Sequence, residues 1–269
     1  MISAMKCAGF TLIEVIVVIA IISILMALSV PALQSGRRYA EAVYCGSNIR
    51  QLLLGLQIYE TANQRFPYAV DDTHVKPPPG GWPGEAAYDR AGWWWFSQIT
   101  SYTRKNNGEG TNLLCPSKDL KGSIFDRDVL CGNYGVNQSI IKSRTGMWSW
   151  RDFVGESLSA IDIPMPQQTL LIVDSGYSMI NWCHAVAESP LTLTTMIEHT
   201  AYIPGLSINQ ERTNFWPGQI DDAIDGRHPN KTVNAGYVDG HVSRIKADKL
   251  LVEEAEDGYR NLCPLWLPK

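Results

Sequence analysis

With 269 residues, 45% of them apolar and 19% charged, the chain is long enough to bury a real core and is composed like a globular protein, not a disordered or fibrous one. A net charge of -4 without any block of Lys or Arg excludes the basic footprint of a nucleic-acid binder. Plentiful Gly (22), Pro (15), Trp (9) and Tyr (11) point to turns and aromatic loops, not to a helical bundle.

The first element is an apolar run. From Phe10 to Val30 only Thr11, Glu14, Ser23 and Ser29 are polar. As a helix it spans roughly 32 Å at about 1.5 Å per residue, close to the hydrocarbon thickness of a bilayer. A cleaved secretory signal has a shorter apolar region, about 7–15 residues, with small residues after it. Here Ala8 and Gly9 precede the run. The segment is therefore expected to stay as an anchor. Lys6 lies before it and Arg37 and Arg38 after it, so flanking charge alone does not orient the span.

Glu14 is out of place in such a run, because a carboxylate inside a spanning helix costs about 2.5–3.5 kcal/mol. It either reaches the headgroups from near the helix end or meets a cation supplied by a partner helix. A cut between Gly9 and Phe10 would place Glu14 in the first turn of the new terminus, where the helix dipole favours an anion.

"GFTLIEVIVVIAIISILMALSVPAL" resembles the amino terminus of type IV prepilins and type II secretion pseudopilins: a Gly-Phe cut, a Thr next, a Glu fifth after the cut, a long Ile/Val/Leu run and then a proline. The resemblance implies that Gly9 precedes the cut. Phe10 becomes a methylated amino terminus, and Glu14 is the glutamate of assembly. It also implies a prepilin peptidase, other pilin-like subunits in a homo- or heteropolymer, an inner-membrane assembly platform and membrane lipid as partners. The amino terminus would be cytoplasmic and the globular part periplasmic or extracellular.

Beyond Val30, Pro31 should kink the helix without ending it, because apolar residues resume at helical spacing: Ala42, Cys45, Ile49, Leu52, Leu53, Leu56 and Tyr59. "TANQRFP" stops it, with Asn63 as a cap. The expected organisation is a leader over 1–9, the spanning half of a helix over 10–30, its amphipathic half over 31–62, and a β-rich globular domain over 63–269. The fold class is α+β and pilin-like: one long helix packed on an antiparallel sheet with long loops.

The stretch around Pro77–Gly84 reads as a loop. The Trp93–Trp95 cluster that follows reads as core packing. Its alternative is sugar stacking, which would make the chain a membrane-tethered carbohydrate-binding or adhesive module. Strands are expected at Thr169–Asp174, and at Thr232–Val238 paired with His241–Ile245 through a type I′ turn at Asp239-Gly240. The end, "CPLWLPK", docks by Trp266 or runs over the surface.

A second resemblance rests on "CGSNIRQLLLGLQIYETANQRFP", "LLCPS", "GNYGVNQS", "PQQTLLIVDSG" and "GRHPNKTVNAGYVDGHVSRI". In this order they are similar to a large pilin-like family, abundant in planctomycete, verrucomicrobial and lentisphaeral bacteria, with a C-terminal His-x9-Asp-Gly segment. Here ten residues, not nine, separate His228 from Asp239-Gly240.

No catalytic constellation is expected. "IVDSGYS" lacks a nucleophile elbow, and neither a phosphate loop nor a dinucleotide fingerprint occurs. His228, Asp239 and His241 could converge on a metal; the plainer reading is a His capping a turn and an Asp that tolerates the turn conformation. Secretion pseudopilins often carry calcium, and Asp221, Asp222 and Asp225 are the densest acidic cluster, though without the EF-hand spacing. No other cofactor is expected. Of the six cysteines, Cys7 leaves with the leader, and no Cys-x-x-Cys pair suggests structural zinc. Cys115–Cys131 is the expected disulfide, Cys183–Cys263 a weaker pairing, and Cys45 a buried thiol on the helix.

Overall fold

The computed structural model describes residues 11–78, 81–82, 90–103, 113–118, 120, 129–146, 151–188, 201–212, 215, 218–256, 258–260 and 264–267. The chain divides into two compact units, Met1–Ala40 and Glu41–Lys269.

One helix, α1, runs Leu12–Asn63 through both. Up to Ala40 every described residue is exposed, although the composition is that of a core. Ser23 Oγ donates to the Ile19 carbonyl (2.7 Å) and Ser29 Oγ to the Leu25 carbonyl (2.8 Å), so the hydroxyls are satisfied within the helix itself. The helix continues through Pro31, which removes only the N–H that Ala27 would have accepted. At its end Asn63 Nδ2 donates to the Tyr59 carbonyl, and Gln64 takes the left-handed conformation (φ 60°) of a helix stop.

In the second unit the helical stripe Ala42, Cys45, Ile49, Leu52, Leu53 and Leu56 is completely buried. It packs on a five-stranded sheet. The strands are β3 (Tyr134–Asn137), β4 (Leu170–Asp174), β5 (Met179–Ile180), β6 (Thr232–Tyr237) and β7 (Val242–Lys246), in the spatial order β5-β3-β4-β6-β7. Three pairings are antiparallel, but β3 and β5 run parallel, so the sheet is mixed where a purely antiparallel one was expected. The parallel edge follows from chain length: β5 begins five residues after β4 ends, and the chain turns back across β3 by way of the Cys131–Tyr177 bridge. Two short ladders flank the sheet: β1 (Val70–Asp71) with β2 (Trp93–Trp94), and β8 (Glu253–Ala255) with β9 (Gly258–Arg260).

Strand alternation divides the core. Along β6, Val233, Ala235 and Tyr237 face a second layer made by Ile203, Leu206, Leu250, Val252 and Trp266. Asn234 and Gly236 face α1. A methyl group on Gly236 would lie 2.7 Å from Leu53 and 2.8 Å from both Ile49 and Ile172, so only glycine lets helix and strand approach this closely. Of the two readings of the C-terminal end, docking by Trp266 is the one observed. Trp266 is buried, its indole N–H donates to the Leu250 carbonyl (2.8 Å), and its own carbonyl accepts from Asn137 Nδ2 (2.7 Å).

Candidate functional site

At the amino-terminal end, Thr11 caps α1. Its backbone N–H (2.8 Å) and hydroxyl (2.7 Å) both donate to Glu14 Oε2, and Glu14 N–H approaches Thr11 Oγ1 at 3.4 Å. This is a Thr-x-x-Glu capping box, a local partner that the sequence reading overlooked although its signature was present. Gly9 and Phe10, the expected processing residues, lie outside the described residues. Past the cap, the apolar side chains from Leu12 to Leu33 point outward all round the helix. The helix is long and apolar enough to cross a membrane.

The C-terminal segment that begins at His228 is where the second unit is built together. A turn with Asn230 and Lys231 in the left-handed region folds His228 back to bridge Thr232. From there β6 runs along α1. Asn234 Nδ2 donates to the Ala42 carbonyl (3.2 Å), Gly236 lies under Ile49 and Leu53, and Gln57 Nε2 donates to the Val238 carbonyl (3.2 Å). Gly240, left-handed at φ 92°, closes the far end against the Gln57 amide.

The turn there differs from expectation. Tyr237 and His241 pair across a three-residue loop, Gly240 N–H donates to the Tyr237 carbonyl, and only Gly240 is left-handed (φ 92°). That is a type I turn with a bulge, not a two-residue I′ turn. The alternative in which His228, Asp239 and His241 converge is not what the structure shows. Asp239 pairs with its neighbour His241 (2.6 Å), whereas His228 is buried against Asp174. β6 separates the two groups.

Around His228 lies a buried polar network. His228 Nε2 sits 3.0 Å from Asp174 Oδ2, which also accepts from the Asn234 backbone (2.6 Å) and side chain (3.1 Å). Burial alone would raise the Asp174 carboxyl, but His228, Arg227 and the Asn234 amide outweigh it and hold it below the ordinary carboxylate range. Next to it, Arg227 grips Asp222 through two contacts (2.9 and 2.6 Å) and donates to the carbonyls of Asn133 and Ser175. Tyr202 also donates to Asp222 (2.7 Å). The acidic cluster is therefore not a common ligand set: Asp222 points into the core toward Arg227, while Asp221 and Asp225 are exposed.

The disulfide is also reassigned. Cys115 bonds to Cys45 on α1, with a Cα separation of 5.5 Å, and not to Cys131. Cys131 is a buried thiol held on the sheet edge opposite Tyr177. Cys115 is brought over the helix because its N–H donates to Asn133 Oδ1 (2.9 Å), while Asn48 on α1 donates to the Leu114 carbonyl (3.1 Å). Closing a loop with a separation of 70 residues stabilises the fold by about 4 kcal/mol. Cys183 is a buried thiol pushed up to about 12 by desolvation, and Cys263 lies outside the described residues.

Trp94 and Trp95 are buried. Trp95 donates to the Ser178 carbonyl (3.0 Å), while Trp93 is half-buried, stacked on His74 at 4.5 Å. Two of the three rings are thus core, and a stacking platform for sugars is not available to them.

The capped, fully exposed apolar helix and the helix-on-sheet unit behind it define a prepilin-type, pilin-like subunit. In agreement, the prokaryotic N-terminal methylation motif matches residues 4–30. The chain is 31% identical over 148 residues to the type II secretion system core protein G of Aeromonas hydrophila, covering 54% of this chain and 95% of that protein. The chain belongs to the family of the type II secretion core protein G. No solved structure matches it.

Proposed function

We propose that this chain is a pseudopilus or pilus subunit that prepilin peptidase cuts at Gly9-Phe10, and that its apolar helix serves first as membrane anchor and then as fibre core. The observation that carries this reading is the contrast within one helix. Residues 11–40 are exposed throughout, whereas the stripe from Ala42 to Leu56 is buried. An apolar surface this long has to be covered, by lipid before assembly and by the same segment of neighbouring subunits after it.

In this reading the amino terminus faces the cytoplasm and the globular unit lies on the far side of the inner membrane. The partners are the peptidase, the assembly platform and other pilin-like subunits. Glu14 has two tasks. Its Oε2 caps its own helix through Thr11, and its Oε1 is left for the Phe10 amine of a neighbour. The role is mechanical, as a fibre building block, and not enzymatic.

Mass spectrometry of the protein recovered from cells with an active prepilin peptidase tests the reading. The expected species starts at Phe10 and carries one added methyl group. An intact Met1 terminus, or a cut beyond Val30, would refute it.

A further inference from the structure

Three groups outside the assembly machinery meet at one point. Cys45 Sγ, Cys115 Sγ and an imidazole nitrogen of His228 lie within 4.8 Å of one another, all of them buried. Nε2 of His228 is held by Asp174 at 3.0 Å. A carboxylate only accepts, so Nε2 is the nitrogen that donates to it and Nδ1 is the one left for another partner. That Nδ1 is buried and has no hydrogen-bond partner. Asp174 Oδ1 is buried and unpartnered as well. The imidazole that adjoins the two sulfurs thus keeps one electron pair open, in a network that satisfies nearly every other polar atom.

We propose that Cys45, Cys115 and His228 form a binding site for a thiophilic divalent cation of the zinc class, open only while the two sulfurs are thiols. Two thiolates and one imidazole are the ligands of an open tetrahedral zinc site, with a fourth position for water. Asp174 is the positioning residue. A carboxylate on the far nitrogen fixes the tautomer and orientation of a metal-bound histidine. The charges agree: two thiolates face the cation and Asp174 pairs with the histidine, while Arg227 is neutralised by Asp222. When zinc enters, two S–H bonds break, two Zn–S bonds form and two protons leave to solvent. In the disulfide the same sulfurs are bonded to each other and cannot bind. The site therefore exists in the newly made chain and is withdrawn on oxidation, so one pair of cysteines joins α1 to the loop at Cys115 either by metal or by an S–S bond.

The test uses the full chain in detergent. A phosphine and water reduce the disulfide: phosphorus gives up two electrons and takes the water oxygen, and each sulfur gains a proton. The reduced protein is then titrated with zinc against a chromophoric chelator. The expected result is one equivalent bound with two protons released, no comparable binding by the oxidised protein, and a thiolate-to-cobalt charge-transfer band with tetrahedral d–d bands when cobalt replaces zinc. Asp174→Asn should keep the stoichiometry and weaken affinity about 10- to 100-fold. Cys131→Ser should change nothing, and His228→Gln should abolish tight binding. Should reduction loosen the fold, zinc must restore the near-ultraviolet dichroism. Binding that is equal in the oxidised protein, a cobalt spectrum without sulfur bands, loss of the site in Cys131→Ser, or no tight zinc equivalent would overturn the proposal.

Discussion

Glu14 shows how a single carboxylate can belong to two structures. Within its own chain it accepts both polar hydrogens of Thr11 and starts the helix. Within a fibre its proposed partner is the Phe10 amine of a neighbour. Replacing Glu14 by Ala should leave membrane insertion unchanged, because the apolar run is untouched, and should abolish co-assembly. Sedimentation of fibres checks this, and normal fibres from the variant would remove the intermolecular role. His184 is a different kind of residue. It is buried, accepts from the Asn181 N–H at Nδ1 (3.2 Å), and desolvation together with Arg212 lowers it from 6.5 to about 3. The sign follows from proton counts. Between these values the unfolded chain binds a proton that the folded chain refuses, so stability falls as pH falls through that window. From pH 7 to pH 5 this residue alone should cost about 2 kcal/mol. Denaturant unfolding at both pH values should show a smaller loss in His184→Gln; an equal loss would mean that the imidazole is not held neutral.

At the scale of elements, the meeting of α1 with β6 holds the second unit together. Asn234, Gly236 and Gly240 successively touch Ala42, then Ile49 and Leu53, then Gln57. The run from His228 to Gly240 is thus a strand clamped at both ends. Gly236→Ala should cost about 1–3 kcal/mol, since its methyl group meets the branched side chains of Ile49, Leu53 and Ile172. Thermal unfolding measures this, and an unchanged midpoint would mean that helix and strand separate more easily than their packing implies. The helix, β6 and β7 were legible in the sequence because their apolar periods end in turn residues, and β4 because it is an unbroken apolar run of strand length. β3 and β5 were not. Four and two residues long and fully buried, they carry no alternation to read.

For the whole molecule, the two units have opposite requirements. The first has no buried residue of its own among those described, and the second holds both sides of the sheet. A fragment of residues 36–269 should therefore be soluble without detergent and keep the melting transition of the full chain, while the full chain partitions into membranes. Circular dichroism and sedimentation decide this, and aggregation of the fragment would mean that the second unit needs the apolar helix. Cysteine chemistry belongs to this scale as well. Spacing along the chain favoured Cys115 with Cys131 and offered no metal motif. The fold instead brings Cys45, Cys115 and His228 together from three distant segments.

The sequence by itself determined the amino-terminal motif segment, the long helix with its two characters, the two longest hairpin strands and, for two of the three rings of Trp93–Trp95, the place in the core. Each of these rests on local chemistry: a continuous apolar run, a 3.6-residue stripe, an alternation of two, and rings too large to leave in water. Only the tertiary structure decided the mixed sheet, the Cys45–Cys115 bond, the separation of His228 from Asp239, and the partners of Asp174 and Asp222. These depend on which distant segments the packing of α1 on β6 brings within bonding distance, and such proximity leaves no periodic mark on the chain.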